Sequence, residues 1–361
     1  MRLRPRGTER LAVALVAPPW YAVPPDGYGG IEAVIYLLAE GLAKLGHHVT
    51  VFGRQGSHEG FETVALAPET WAGELGGPKH TARELTYLHA AYLHIKHRAF
   101  DIVHEHSGYA GILLASLLDL QSAAVATIHG DLEEADGQFL AAVAGNVELV
   151  SISRAQRATV ASVRWAATVH NAVDPGALRL GLQPGDYVVD LARICEDKGQ
   201  HLAIEVARRA GLRLVLAGKV DEGSDEYFER EVRPHLGAGV EWQENVSGRA
   251  KAELLAGAAA LVFPIQWEEP FGLAMVEAMA SGTPVVATPR GAAVELVDEG
   301  VTGCLGEDVE DLVEALERAR QIDRNACAAH ARERFSPHRM AEEYVGVYLD
   351  AIARRRDRVV G

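Results

Sequence analysis

Leu261-Val-Phe-Pro264, followed by Glu269-Pro-Phe-Gly-Leu-Ala-Met-Val-Glu277-Ala-Met-Ala-Ser-Gly282-Thr-Pro284-Val-Val-Ala-Thr288, decides the architecture. The first run is short and wholly apolar, as a strand buried on both faces must be. Phe271 to Ala280 has helical composition and ends at Ser281-Gly282, a glycine stop. The reading places Glu269 in the loop at the carboxyl end of a strand and Glu277 about two turns into the helix. Between them the backbone N–H groups of Phe271, Gly272 and Leu273 form the positive end of that helix, which suits a phosphate. One carboxylate can then hold hydroxyls beside the phosphate and the other hydroxyls further along the same ligand, as in a sugar-nucleotide site. An arbitrary pair of glutamates would be an ordinary solvated helix face. Here the approach Trp267-Glu268-Glu269-Pro270 is a bulky, charged corner with no turn-closing role, which weakens that alternative.

Outward from this stretch, short apolar runs alternate with helical stretches along the whole chain, the pattern of parallel sheets wound by helices on both faces. Strands are expected near 11–17, 48–53, 101–104, 123–128, 147–151 and 166–169, with helices at Gly30 to Leu45 and Ala82 to His97. A second series begins at Tyr187 to Ala192 and continues at 212–217, 239–242, 260–264 and 284–288. At 361 residues the chain suits two domains. The expected division is a first Rossmann-like domain over 1–172, a linker over 173–186 rich in Pro and Gly, a second Rossmann-like domain over 187–335, and a helix over 336–361 crossing back to the first. Two doubly wound parallel sheets facing a central cleft would bind ligands at the carboxyl ends of their strands.

Composition narrows the function. Apolar residues make up 48% and charged residues 24%, a globular balance. With 35 Lys and Arg against 50 Asp and Glu, the net charge of −15 disfavours nucleic acid and anionic lipid as partners. Cys195, Cys304 and Cys327 are far apart and odd in number, so a reducing, cytoplasmic setting is expected. Leu11 to Ala17 imitates a secretory leader, but Pro18-Pro19-Trp20 stands where a small-residue cleavage site belongs, so the run reads as a first strand. No run is long enough to span a bilayer.

Other loops at strand ends carry polar chemistry. Pro25-Asp-Gly-Tyr28-Gly29-Gly30-Ile-Glu32 opens the first helix, and its glycines let the backbone approach a ligand. A dinucleotide fingerprint would need glycine where Glu32 stands, which counts against a nicotinamide dehydrogenase. Arg193-Ile-Cys-Glu-Asp-Lys198-Gly199 offers a planar fork and a point charge, together a clamp for a diphosphate. Glu196 and Asp197 could instead pair with both cations in a solvated turn. Thr127-Ile-His129-Gly130 presents a histidine at a strand end, either a satisfied structural group or a hydrogen-bond donor to a sugar. His104 and His106 resemble a metal pair, but no further ligand has suitable spacing, so no metal is expected. There is no Asp-x-Asp metal clamp, no Gly-x-Ser-x-Gly elbow and no P-loop.

Taken together these motifs resemble the retaining glycosyltransferases of family 4, which have the GT-B fold. The resemblance runs through Gly29-Gly30-Ile-Glu32, Asp101-Ile-Val-His104, Thr127-Ile-His129-Gly130, Ser151-Ile-Ser153-Arg154, His170-Asn171-Ala-Val-Asp174, Arg193 with Lys198-Gly199, and above all Glu269 to Ala287, then Gly303. It departs at Ala192, Ala172 and Gly291-Ala292, where glycines are usual, and Trp267-Glu268 is bulkier than common. The resemblance implies retaining, metal-independent transfer of a sugar from a nucleotide-diphosphate donor to a hydroxyl acceptor, with no cofactor. Arg193 and Lys198 would neutralise the departing diphosphate, helped by the N–H groups of Phe271, Gly272 and Leu273. Glu277 would hold the ribose, Glu269 and His129 the donor sugar, and Gly29-Gly30 would lie beside the phosphate and acceptor. Backbone groups near Gly218 and Val246 are expected to recognise the base. Tyr28, His104 and a mobile loop over 54–80 are expected to contact the acceptor. Since Ala82 to His97 has only Arg83 and Lys96 as firm cations, a soluble acceptor is expected rather than a membrane-bound one. Rival readings are a nucleotide-sugar epimerase, for which no acid–base set can be assigned, and a non-catalytic nucleotide-sugar-binding subunit, against which the intact charged set argues.

Overall fold

Mostly apolar runs pair into two parallel sheets whose central strands are buried. The computed structural model describes residues 10–27, 29–54, 60–118, 120–237 and 239–360. Its chain divides into two compact units: one holds the chain up to Ile152, Arg157–Ala172 and the chain from Pro337, and the other holds Ser153–Gln156 and Val173–Ser336.

In the first unit the strands are β1 (Ala12–Val16), β2 (His48–Arg54), β3 (Glu62–Ala67), β4 (Ile102–Glu105), β5 (Ala123–Ile128), β6 (Val147–Ser151) and β7 (Trp165–Thr168). They lie in the order β3-β2-β1-β4-β5-β6-β7, all parallel. The order reverses between β1 and β4, and in open α/β sheets the crevice at such a reversal collects ligands. The loop after β1 leads to Gly29, and the loop after β4 starts at His106. The helix Pro337–Val360 also belongs to this unit and packs on the helix Gly30–Lys44 and on β5. Gly41 permits that approach, because an added Cβ would lie 2.8 Å from Cβ of Ala341 and 2.9 Å from the Pro337 carbonyl.

The second unit holds β8 (Tyr187–Leu191), β9 (Arg213–Ala217), β10 (Val240–Gln243), β11 (Leu261–Phe263), β12 (Val285–Ala287) and β13 (Gly303–Leu305), in the order β10-β9-β8-β11-β12-β13. These too are all parallel. Here the reversal falls between β8 and β11. The loop after β8 carries Arg193 and Lys198, and the loop after β11 carries Glu269, so topology alone brings them to one place.

Both sheets and their fold are the doubly wound α/β type expected, with three corrections. The segment 54–80 is not one mobile loop: it contains the edge strand β3 and a 3₁₀ turn at Glu69–Glu74, while 55–59 lie outside the described residues. β13 was missed because it is only three residues long and contains a glycine. The stretch 173–186 is fastened to the second unit, with Gly181 N–H donating to Ser281 O (2.9 Å) and Gly185 N–H to Gly257 O (2.9 Å). No helix among the described residues is long and apolar enough to cross a membrane.

Candidate active site

The clamp loop of the second unit is built by a chain reversal between β8 and the helix Gln200–Arg209. Glu196–Lys198 forms one 3₁₀ turn, and Gly199 (φ 71°) makes the left-handed turn into the helix. A Cβ on Gly199 would lie 2.2 Å from the Pro264 carbonyl at the end of β11, so only glycine lets the two loops meet. A buried amide pins the loop from below. Gln200 Nε2 donates to Arg193 O (3.1 Å) and its Oε1 accepts from Cys195 N–H (3.3 Å). Behind it Asp190 is completely buried, and desolvation lifts its carboxyl from 3.8 to about 7.

Lys198 and Glu269 meet as an almost buried pair, with Nζ 2.5 Å from Oε2. Trp267 Nε1–H donates to the same oxygen (3.0 Å), and the ammonium lies 4.4 Å from the centre of the Trp267 ring. Arg193 reaches Asp221, and its side chain is partly exposed. Each cation thus meets a carboxylate outside its own turn, Lys198 in the loop after β11 and Arg193 in the loop after β9. A more highly charged phosphate can displace the carboxylates that these cations meet.

The helix beyond Glu269 begins at Leu273, with Gly272 as its left-handed cap (φ 88°). Glu277 is thus just over one turn in, not two, which brings it nearer the helix mouth. In the first turn of the helix Leu273–Ala280 Met275 N–H donates to Gly272 O (3.0 Å), and the helix mouth as a whole is the positive end that favours an anion. Phe271 is buried and packs edge-on against Phe335 (centroids 6.3 Å apart). Glu277 is half-buried and paired with Lys251 (2.6 Å). Gly291 (φ 54°) completes the loop: its N–H donates to Glu268 Oε2 (2.7 Å), and a Cβ there would strike Glu269 N at 2.2 Å. Gly218 owes its identity to close packing, since a Cβ would fall 1.9 Å from Ala192 O. Its N–H is already given to Gln243 O (3.0 Å) and its carbonyl accepts from Trp242 Nε1 (2.8 Å). Val246 is half-buried in the loop after β10.

In the first unit Gly29 caps the helix Gly30–Lys44 with φ 149°, and Gly30 is exposed. Glu32 faces this turn from inside, 97% removed from solvent, and burial raises its carboxyl from 4.5 to about 7. Tyr28 lies outside the described residues. His129, at the end of β5, is partly exposed. Its Nε2 meets His106 Nδ1 at 2.9 Å, and desolvation lowers its pKa to about 4, so it is neutral at physiological pH. A neutral imidazole can donate one hydrogen bond without adding charge.

His104 requires a correction. It is fully buried, with Nδ1 2.8 Å from Tyr348 Oη and Nε2 2.7 Å from Thr127 Oγ1, and Thr127 in turn meets Tyr344 Oη at 2.8 Å. Both ring nitrogens serve this core network, so His104 does not contact an acceptor. Asp221, Lys251, Trp267 and Gln200 were missed as members of the site. Each is tied to a charged residue far away in sequence or sits in an unremarkable helix turn, and only Trp267 left a trace, as the bulky corner before Glu269.

Residues 183–334 match the family model Glycosyl transferases group 1, and residues 28–179 match Glycosyltransferase Family 4. The chain is 26% identical to a D-inositol 3-phosphate glycosyltransferase of Corynebacterium aurimucosum, covering 90% of this chain and 92% of that one. It is 25% identical to a glycogen synthase of Mycobacterium tuberculosis, covering 89% of each. Among solved structures, AviGT4, a glycosyltransferase involved in avilamycin A biosynthesis, superposes with a TM-score of 0.74 at 27% identity, covering 95% of this chain and 98% of that one. Anabaena HepE in complex with UDP-glucose shares the fold at 16% identity, with a TM-score of 0.72 over 95% of this chain and all of that one. A double Rossmann-like fold with a basic clamp opposite paired glutamates is that of a GT-B glycosyltransferase. The chain belongs to the family 4-like glycosyltransferases.

Proposed function

We propose that this enzyme transfers a hexosyl unit from a nucleotide-diphosphate sugar to a hydroxyl acceptor with retention at the anomeric carbon and without a metal ion. The observation that carries the reading is the Lys198–Glu269 pair at the mouth of the helix Leu273–Ala280. A diphosphate entering there replaces Glu269 as the partner of Lys198 and draws Arg193 from Asp221. Two cations and a helix N-terminus then receive the charge that develops as the bond from the anomeric carbon to the phosphate oxygen breaks. That is the task a divalent ion performs in enzymes that need one.

Released from Lys198, Glu269 accepts hydroxyls of the donor sugar, and Glu277 accepts those of the ribose. His129 and the Gly29–Gly30 turn are assigned to sugar and phosphate recognition. The acceptor oxygen bonds to the anomeric carbon on the face the phosphate leaves, and its proton passes to the leaving phosphate oxygen. No protein nucleophile takes part, so catalysis rests on positioning and charge stabilisation.

The test is a donor screen with UDP-, GDP- and ADP-hexoses on chelator-treated enzyme, followed by NMR of the product. Turnover without added metal, with the donor's anomeric configuration kept, is the expected result. Activity restored only by magnesium or manganese, or an inverted product, would overturn the proposal.

A further inference from the structure

The loop before Glu269 contains a residue that the proposed chemistry does not use but that touches both of its ionic groups. Trp267 donates its indole N–H to Glu269 Oε2 at 3.0 Å, the same oxygen that binds Lys198. Its ring face lies 4.4 Å from the Lys198 ammonium, with the Phe263 ring further off at 5.8 Å. The indole is itself held in place. Gln266 N–H, one residue earlier, donates to Asp197 O at 2.7 Å, and Glu269 N–H donates to Trp267 O at 3.1 Å. The corner therefore moves with both loops of the site.

We infer that Trp267 is a positioning residue for donor binding: its N–H keeps the Glu269 carboxylate oriented while its ring face holds Lys198 within reach of either the carboxylate or a phosphate. The inference rests on the donor-site reading above. When Lys198 turns to the diphosphate, Glu269 would be left as a buried carboxylate without its cation, a state that proteins strongly disfavour. The indole N–H is a neutral donor that stays behind, so the carboxylate keeps one charge-assisted hydrogen bond and one fixed oxygen. The other oxygen, Oε1, is then the one turned to the sugar. The ring face attracts the ammonium without competing with phosphate for its protons, because a cation–π contact uses no hydrogen bond.

These two roles separate by mutation. Trp267→Phe keeps a ring face and loses the N–H, and Trp267→Leu loses both. The diphosphate among UDP, GDP and ADP that binds the wild-type enzyme is identified by calorimetry, and turnover is followed with the matching nucleotide sugar. For Trp267→Phe the expected result is diphosphate affinity within about twofold of wild type and kcat lowered by at least about tenfold. For Trp267→Leu, diphosphate affinity falls as well, by about fivefold. In a Glu269→Gln background the kcat loss from Trp267→Phe shrinks to less than about threefold, because the oriented carboxylate is already gone. Wild-type kcat in Trp267→Phe, or the same fractional loss with and without Glu269→Gln, would overturn the inference. Circular dichroism and melting temperature of each variant separate misfolding from these effects, and Trp267→Phe remains decisive should Trp267→Leu not fold. If the wild-type enzyme binds none of the three diphosphates, the donor-site reading fails and this inference with it. If it binds one and the variants match it throughout, only the role of Trp267 fails.

Discussion

Lys251, on the helix Gly248–Gly257, and Glu277, on the helix Leu273–Ala280, form a 2.6 Å ion pair at a half-buried position. The lysine neutralises a carboxylate that the proposed function gives to the ribose, and it fixes that carboxylate's rotamer. If Glu277 accepts hydroxyl protons, Glu277→Gln lowers nucleoside-diphosphate affinity by about tenfold or more, since hydrogen bonds to charged groups are worth about 1.5–3 kcal/mol. Lys251→Ala is expected to cost no more than about fivefold, as the pair is partly solvated. Calorimetric titration of both variants checks the ranking.

The clamp cations differ in burial, and their variants should differ accordingly. Lys198 is nearly inaccessible, whereas Arg193 is partly exposed and bound to Asp221. Lys198→Ala is expected to lower kcat by about a thousandfold, the range for removing a charge from a preorganised site. Asp221→Asn releases Arg193 from its resting partner and should tighten pyrophosphate binding by about two- to fivefold. Single-turnover rates and pyrophosphate competition are the measurements.

Asp190 makes stability depend on pH. Its carboxyl titrates near 3.8 in an unfolded chain and at about 7 in the fold. Below about 4 it is protonated in both states and costs nothing. As pH rises towards 7 the unfolded chain ionises first, so stability falls, and above 7 the loss is constant. Asp190→Asn removes this slope. Relative to wild type, the variant should gain about 2–3 kcal/mol between about pH 5 and pH 8 in urea unfolding, at 1.36 kcal/mol per pKa unit.

Tyr348→Phe tests the reassignment of His104. The variant leaves His104 Nδ1 without its partner inside the core, which is expected to cost about 1–3 kcal/mol in stability while leaving kcat within about twofold of wild type, because Tyr348 lies outside the catalytic groups. A large loss of activity in a fully folded variant would return His104 to the site.

Gly199→Ala combines a left-handed backbone with a clash. The added Cβ would meet the Pro264 carbonyl at 2.2 Å, and β11 cannot retreat from its neighbours on both sides. A destabilisation of about 2–4 kcal/mol is expected, with donor affinity falling as the Lys198 turn shifts. Thermal unfolding with and without the bound diphosphate separates the two effects.

Much of this architecture was legible because a parallel strand is buried on both faces and so must be written as an unbroken apolar run. Leu261–Phe263 and Ala12–Val16 are of that kind. β3, Glu62-Thr-Val-Ala-Leu-Ala67, is an edge strand with half-exposed positions, and it lies among glycines and prolines that suggested a loop. The charged residues were legible from their place at strand ends, but their partners were not. Asp221 lies 28 positions from Arg193, and Glu269 lies 71 from Lys198. Only the strand order, with its reversal between β8 and β11, makes such residues neighbours. His104 was misread because its strand-end position looks like that of His129, and nothing local tells that two tyrosines more than two hundred residues later will cover it.

Those tyrosines sit on Pro337–Val360, a helix made after residues 173–336, yet they complete the interior of the unit whose synthesis begins earlier. Arg354 and Arg358 on the same helix also converge on buried Glu148. Residues 173–336 can close their sheet while the chain is still being made, whereas the earlier half must wait with an unfilled groove. Birth order and assembly order are thus opposed, and a nascent chain halted near Ser336 would carry one finished half and one open one.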